Sequence, residues 1–237
     1  MVNHGGENLR PKAGPLPPMH TFRDVATAAY CPRKLYYRHR DPSADEEIPQ
    51  EVHARRDLAF RYPELLASDP EVQAAPIEVT PTQYRSRLGR LRASLDAWND
   101  LVDPAGREVL LEGRECRGIA HKVVGDPSRP VIVSPGDPPP TGVWEPHSVQ
   151  AVAAAKALAW ERQRPVEAAI VEYPTHGVIR AIELTTRRKS QYRSALRAAA
   201  ELDGPPSRIE NEAKCEPCEY ASECGVRSRS LGSLLGD

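Results

Sequence analysis

Three cysteines fall within ten residues near the end of this chain, Cys215, Cys218 and Cys224, in the pattern C-x-x-C-x-x-x-x-x-C. Two thiolates that bracket a two-residue turn can face one metal, and a third can close from the next turn. A tetrahedral ion or a cubane cluster needs one ligand more. Five cysteines are present in all, so the fourth ligand is Cys31 or Cys116. Cys31 lies in Tyr30-Cys31-Pro32-Arg33, a loop-to-helix junction where a helix N-terminus favours a thiolate. Cys116 lies in the strand-like run EGRECRG, where a cysteine behaves as a small buried side chain. The expected ligand set is therefore Cys31, Cys215, Cys218 and Cys224. Structural zinc sites commonly pair two knuckles, whereas here one ligand stands 184 positions before Cys215. An iron–sulfur cluster, of the 4Fe-4S type, is thus preferred, with zinc as the alternative.

The remaining bulk properties are permissive. A chain of 237 residues suffices for one α/β domain with a full core. Lys plus Arg number 32 and Asp plus Glu 33, so only local clustering of charge can argue for nucleic acid. The first twenty residues are polar and rich in proline and glycine, with no apolar core of a signal peptide. No stretch approaches the roughly eighteen uninterrupted apolar residues of a spanning helix. The expectation is a cytoplasmic protein without a membrane partner, whose cysteines serve as ligands or bystanders rather than disulfides.

The pattern along the chain predicts helices, then strands, a helix, two strands, a helix and a metal-binding tail. Residues 1–20 read as a disordered tail, 21–226 as one domain and 227–237 as a flexible tail. Thr21 is a plausible N-cap for a first helix, and Pro32 fits the first position of a second. Residues 41–50 form an acidic, breaker-rich loop, and residues 53–68 look helical with a break at Pro63. The runs at 77–98 are ambiguous between strand and helix. REVLLEGRE, IAHKVVG and RPVIVSPG are β-branched runs bounded by glycine and proline, the mark of strands. SVQAVAAAKALAWERQ is the clearest helix, with Ser148 as its N-cap. AAIVEYP and GVIRAIEL predict two strands around a Thr175-His176-Gly177 turn, and residues 187–203 a final helix. The fold class is α/β with a mixed sheet, one face covered by the helix near 148–163.

An early YCPRKLYY paired with a late CEPCEYASEC resembles the CRISPR-associated Cas-four exonuclease family. That resemblance spans residues 21–226. It implies a RecB-like PD-(D/E)XK nuclease core, N-terminal helices, a four-cysteine iron–sulfur cluster, and action on single-stranded DNA alongside CRISPR adaptation proteins. It also implies an Asp, a second carboxylate and a Lys that hold Mg²⁺ or Mn²⁺ and activate water. The run matching G-x-x-D-x-V is Gly118-Ile119-Ala120-His121-Lys122-Val123, with His121 at the Asp position. The acidic-x-Lys triplet falls on Ser134-Pro135-Gly136, so Ser134 and Gly136 replace the carboxylate and the Lys. In the following Q-x-x-x-Y, Gln150 is present but the tyrosine is Ala154. His53 is a weak match to an early metal-binding histidine of the family. Neither imidazole nor a neutral hydroxyl suits a hard divalent ion, so the nuclease site reads as lost.

Two basic segments join the predicted site: Arg33, Lys34, Tyr36 and Arg38, and Arg187, Arg188, Lys189 and Tyr192. A third carries Arg85, Arg87, Arg90 and Arg92. Cations interleaved with tyrosine suit phosphate contact with base stacking, although a solvated helix face is their commoner fate. The preferred function is an iron–sulfur, Cas-four-like protein that binds or helps process DNA without a nuclease of its own. The alternatives are a Mg²⁺- or Mn²⁺-dependent exonuclease with carboxylates relocated to Asp126 or Asp137, Glu145 also lying in a nearby loop, and a structural zinc protein.

Overall fold

A computed structural model describes residues 19–41 and 99–225, together with 56, 57, 59–61, 82, 83, 86, 87, 89, 90 and 93. His53, and most of the expected elements between 42 and 98, lie outside the described residues, as do residues 1–18 and 226–237. The helix α1, Phe22–Tyr30, starts where Thr21 predicted. The Thr21 side chain accepts from the Asp24 N–H, and Asp24 accepts from the Thr21 N–H, which closes a capping box. His20, expected in the tail, instead belongs with Thr21 to a short strand, β1 (His20–Thr21), beside Cys116–Arg117. The second helix, α2 (Pro32–Arg40), follows after the single extended residue Cys31.

The strands β2 (Gly106–Glu112), β3 (Cys116–Val124), β4 (Arg129–Val133), β5 (Ala168–Tyr173) and β6 (Val178–Glu183) complete a six-stranded mixed sheet. β2 runs antiparallel along one edge of β3. The other edge is shared: β1 pairs with its first residues and β4 with Lys122–Val124. β4 and β5 are parallel, joined through the long helix α3 (Glu145–Arg162), and β5–β6 is antiparallel. The chain is thus α/β, as its alternating pattern implied.

α3 begins three residues before Ser148, at a cap formed by Trp144 with no side-chain hydrogen bond. The Ser148 N–H bonds to the Trp144 carbonyl, which places Ser148 inside the first turn rather than at the cap. Ala151–Ala155, Ala157 and Leu158 are all buried, so most sides of the helix touch protein. Its small side chains let the backbone approach the sheet: a Cβ on Gly113 would meet Ala157 Cα at 2.9 Å. Gly118 serves a similar purpose, since a Cβ there would lie 2.6 Å from the Phe22 ring. α1, α3 and the last long helix, α4 (Thr186–Ala200), pack on one another over the main core. A smaller cluster of Leu101, Val124, Val131 and Ile170 lies apart from it.

Candidate metal centre

Cys31 is extended (φ -164°, ψ 114°) and serves two helices. Its N–H donates to the Thr27 carbonyl at 2.8 Å, ending α1, while its carbonyl accepts from Leu35 at the start of α2. Its side chain makes no capping bond, so the sulfur stays available. The C-terminal trio is built from turns. Asn211 caps a one-turn helix, α5 (Glu212–Cys215), through its side-chain oxygen. The Cys218 N–H then bonds to the Cys215 carbonyl at 3.2 Å, and the Cys224 N–H to the Tyr220 carbonyl at 3.0 Å.

These segments meet. Cys31, Cys215, Cys218 and Cys224 line one small pocket with Tyr30 and Lys34, and all are free thiols. The docking uses both ends of the chain. The Tyr30 hydroxyl donates to the Lys214 carbonyl, and Lys214 Nζ donates to the Tyr30 carbonyl. Lys34 pairs with Glu219 at 2.8 Å, Tyr37 donates to the Glu223 carbonyl, and the Tyr37 and Tyr220 rings stack. Burial pushes the Cys218 and Cys224 thiols up, opposed in part by Lys34 beside Cys218 and Arg33 beside Cys224. Burial first, then the charges of Cys218, Cys215 and Cys31, raises Tyr30.

Four sulfurs with cations at the rim are a donor set suited to a soft metal centre, whose thiolates carry excess negative charge. Among the described residues, no three His, Cys, Asp or Glu side chains stand close enough to hold a metal ion as they are placed. Cys116 lies elsewhere, 2% exposed beside the Tyr192 hydroxyl at 3.1 Å. Burial raises its thiol to about 11, so it keeps its proton.

The second region is the junction of β3, β4 and α3. His121 Nδ1 accepts the Val133 N–H at 2.8 Å, where the β3–β4 ladder has opened, and its ring meets Phe60 edge-on. The imidazole thus stands in for a strand carbonyl. Ser134 is buried, its hydroxyl accepting from the Gly136 N–H and lying 3.5 Å from His147 Nε2. His147 Nδ1 is 2.9 Å from the Tyr173 hydroxyl, whose pKa burial pushes up to about 12. Gln150 is half-buried and Ala154 fully buried. Asp126 is in the turn before β4, at the far end of that strand from Ser134. Asp137 follows Ser134 closely in sequence and pairs with His176 at 3.0 Å.

Both half-buried histidines are neutral at pH 7, His121 through desolvation and then Arg56 and Lys122, His147 through desolvation alone, each at about 4. A folded-state pKa below the unfolded value of about 6.5 means that the unfolded chain binds more protons between the two. That contribution to stability is present above pH 6.5 and lost as pH falls toward 4, by up to about 3 kcal/mol per histidine. Thermal unfolding followed by circular dichroism should show the melting temperature falling across this window. In His121→Asn, whose side-chain oxygen can still accept the Val133 N–H, the fall should be shallower; an identical slope would contradict this origin.

Two residues assigned by sequence to nucleic-acid contact are spent inside the fold. Arg38 is 8% exposed and bonds Asp24 and the Thr27 hydroxyl, and Tyr192, 1% exposed, is a core ring. Arg33 donates to the Pro206 carbonyl and the Tyr37 hydroxyl, and Lys34 to Glu219, so both brace the cysteine pocket. Arg187 and Lys189 are exposed, Tyr36 accepts from Arg40, and Arg188 donates to the Glu183 carbonyl. Arg87 donates to the Thr175 carbonyl.

Local pattern did not reveal the ion pair between Lys122 and Glu172, 2.9 Å apart and almost wholly buried. The available signal was one charge of each sign within apolar strands, in IAHKVV and AAIVEY. No protein-family model matches the chain, and no curated protein matches it either.

Proposed function

We propose that this protein is an iron–sulfur, RecB-like protein of the Cas-four type that binds single-stranded DNA and has lost the nuclease of that fold. The observation that carries the reading is the convergence of Cys31 with Cys215, Cys218 and Cys224 on one pocket. A cysteine-only set drawn from both ends favours a cluster over the paired knuckles of common zinc sites. Loss of cleavage is supported by the positions aligned with metal ligands. His121 has one ring nitrogen committed to the backbone, Ser134 is a buried hydroxyl, and Gly136 has no side chain. The exposed cations Arg187 and Lys189 supply phosphate contacts, and CRISPR adaptation is the setting that the resemblance implies.

None of the described helices is long and apolar enough to cross a membrane. Anaerobic purification should give a brown protein containing iron and acid-labile sulfide; a colourless one with stoichiometric zinc would sink the cluster. Labelled single-stranded DNA should be bound at low salt and released as salt rises, with a log–log slope of about −0.7 per phosphate neutralised. The same strand incubated with Mn²⁺ should remain intact. Cleavage abolished by Asp137→Ala would instead establish a relocated active site.

A further inference from the structure

A cavity of about 510 Å³ lies where the turn between β2 and β3 meets the second half of α3. Small side chains at Gly113, Ala153 and Ala157 leave room for it. Its buried end is an ordered polar relay. The Tyr192 hydroxyl, on a ring only 1% exposed, donates to Glu115 Oε2 at 3.2 Å. Lys156 Nζ pairs with that same oxygen at 3.1 Å. Since Tyr192 spends its one hydroxyl proton on Glu115, the Cys116 thiol 3.1 Å away donates to Tyr192. Both contacts to the carboxylate fall on Oε2, and among the described residues nothing donates to Glu115 Oε1. The carboxylate is thus held in place with one acceptor oxygen to spare.

The open side has a different character. Trp160, 52% exposed, lines the same cavity, and so do the exposed Arg114 and Arg164. A large aromatic left open at a cavity mouth, beside polar groups, is the mark of a binding surface. Neither guanidinium has a hydrogen bond or ion pair among the described residues. The lining carries three cations, Arg114, Lys156 and Arg164, against the single carboxylate of Glu115.

We propose that this cavity binds a nucleotide: an amine-bearing base stacks on the Trp160 indole and donates to Glu115 Oε1, while Arg114 and Arg164 take the phosphate. The combination selects this class. A bare anion would leave the indole unused and meet the Glu115 carboxylate; an apolar molecule would leave both guanidinium groups unmatched; a cation would face three like charges. The volume is that of an ordinary small-ligand site. The inference does not rest on the single-stranded DNA reading, because a free nucleotide and a nucleotide within a strand present the same base and phosphate.

The test is calorimetric titration at low ionic strength with AMP, purine riboside monophosphate (which lacks the amine), inorganic phosphate and single-stranded oligoadenylate. Saturable binding of AMP is expected, severalfold tighter than that of the amine-free nucleotide or of phosphate. Trp160→Ala should weaken AMP roughly tenfold and leave phosphate unchanged, as loss of a stacking partner does. Arg164→Gln should weaken both severalfold. Glu115→Gln should weaken AMP yet tighten phosphate, because it removes the one negative charge of the lining. Opposite signs in one variant separate a lost contact from general damage. Oligoadenylate that displaces AMP identifies a strand as the source; AMP binding without displacement identifies a free nucleotide. Wild-type affinity for AMP in Trp160→Ala or Glu115→Gln overturns the proposal. So does a protein that AMP does not saturate and whose affinity for oligoadenylate, if any, is unchanged by Trp160→Ala; retained oligoadenylate binding would then leave the single-stranded DNA reading standing.

Discussion

Cys218→Ser is expected to yield a colourless, aggregation-prone protein. Cys218 sits between Cys215 and Cys224 in the turns that face Cys31, so its loss removes one quarter of the ligand set. The bonds that remain across the junction, from Tyr30 to Lys214, Lys34 to Glu219 and Tyr37 to Glu223, are partly exposed. Each contributes only about 0.5–1.5 kcal/mol net. A structural metal in a small cysteine-rich site contributes on the order of 10 kcal/mol of folding free energy. If the pocket holds the proposed cluster, metal binding outweighs any one of these contacts. Once the segment undocks, the faces of Tyr220 and Ala221, now 3% and 2% exposed, meet water. Solubility, visible absorbance and near-ultraviolet circular dichroism report the result together. A soluble, fully folded Cys218→Ser protein would show that the hydrogen bonds suffice and the cluster is dispensable. Burial raises the Cys218 and Cys224 thiols, so the proposed cluster would bind with loss of their protons, and mild acid should then release it sooner than it melts the sheet.

The second large effect belongs to the pair inside the sheet. Glu172→Gln should destabilise the protein by about 3–5 kcal/mol, because it strands a buried ammonium. Lys122 Nζ reaches both Glu172 oxygens and the Leu101 carbonyl, and its side chain is 5% exposed against 0% for Glu172. Burial depresses the Lys122 pKa while Glu172 opposes that shift, so without Glu172 the amine would tend to give up its proton. Lys122→Met should cost a similar amount for the opposite reason. The double variant, Lys122→Met with Glu172→Leu, should recover most of the loss, as apolar replacements of buried ion pairs commonly do. Chemical denaturation of the three variants measures the coupling, and strict additivity would mean that the two charges do not sustain each other.

The readable parts of the sequence were those with local causes. Glycine and proline bracket β2, β3 and β4, and the turn before β6 closes at Gly177 in the left-handed region (φ 64°), as its sequence implied. The cysteine spacing carried the C-terminal turns. Ser148 misled because a serine before an alanine-rich run resembles a cap, while the actual cap, Trp144, has no side-chain bond to advertise it. Arg38 and Tyr192 misled for a related reason. Composition records that a run is basic and aromatic, not that Asp24, fourteen residues away, turns Arg38 inward. The Lys122–Glu172 pair is fixed by the register of β3, β4 and β5, which no local window contains.

The apposition of α1 and α2 with residues 212–225 also orders the birth of the protein. The ribosome makes Tyr30, Cys31 and Lys34 long before the partners that cover them, at 214, 218 and 219. Until those residues emerge, this corner stays open to water and to other chains, whereas the hairpin of β2 and β3 already has its neighbours. Closure of that corner is therefore a late event of synthesis, and a chain stalled before residue 215 would display an unfinished surface for quality control to seize.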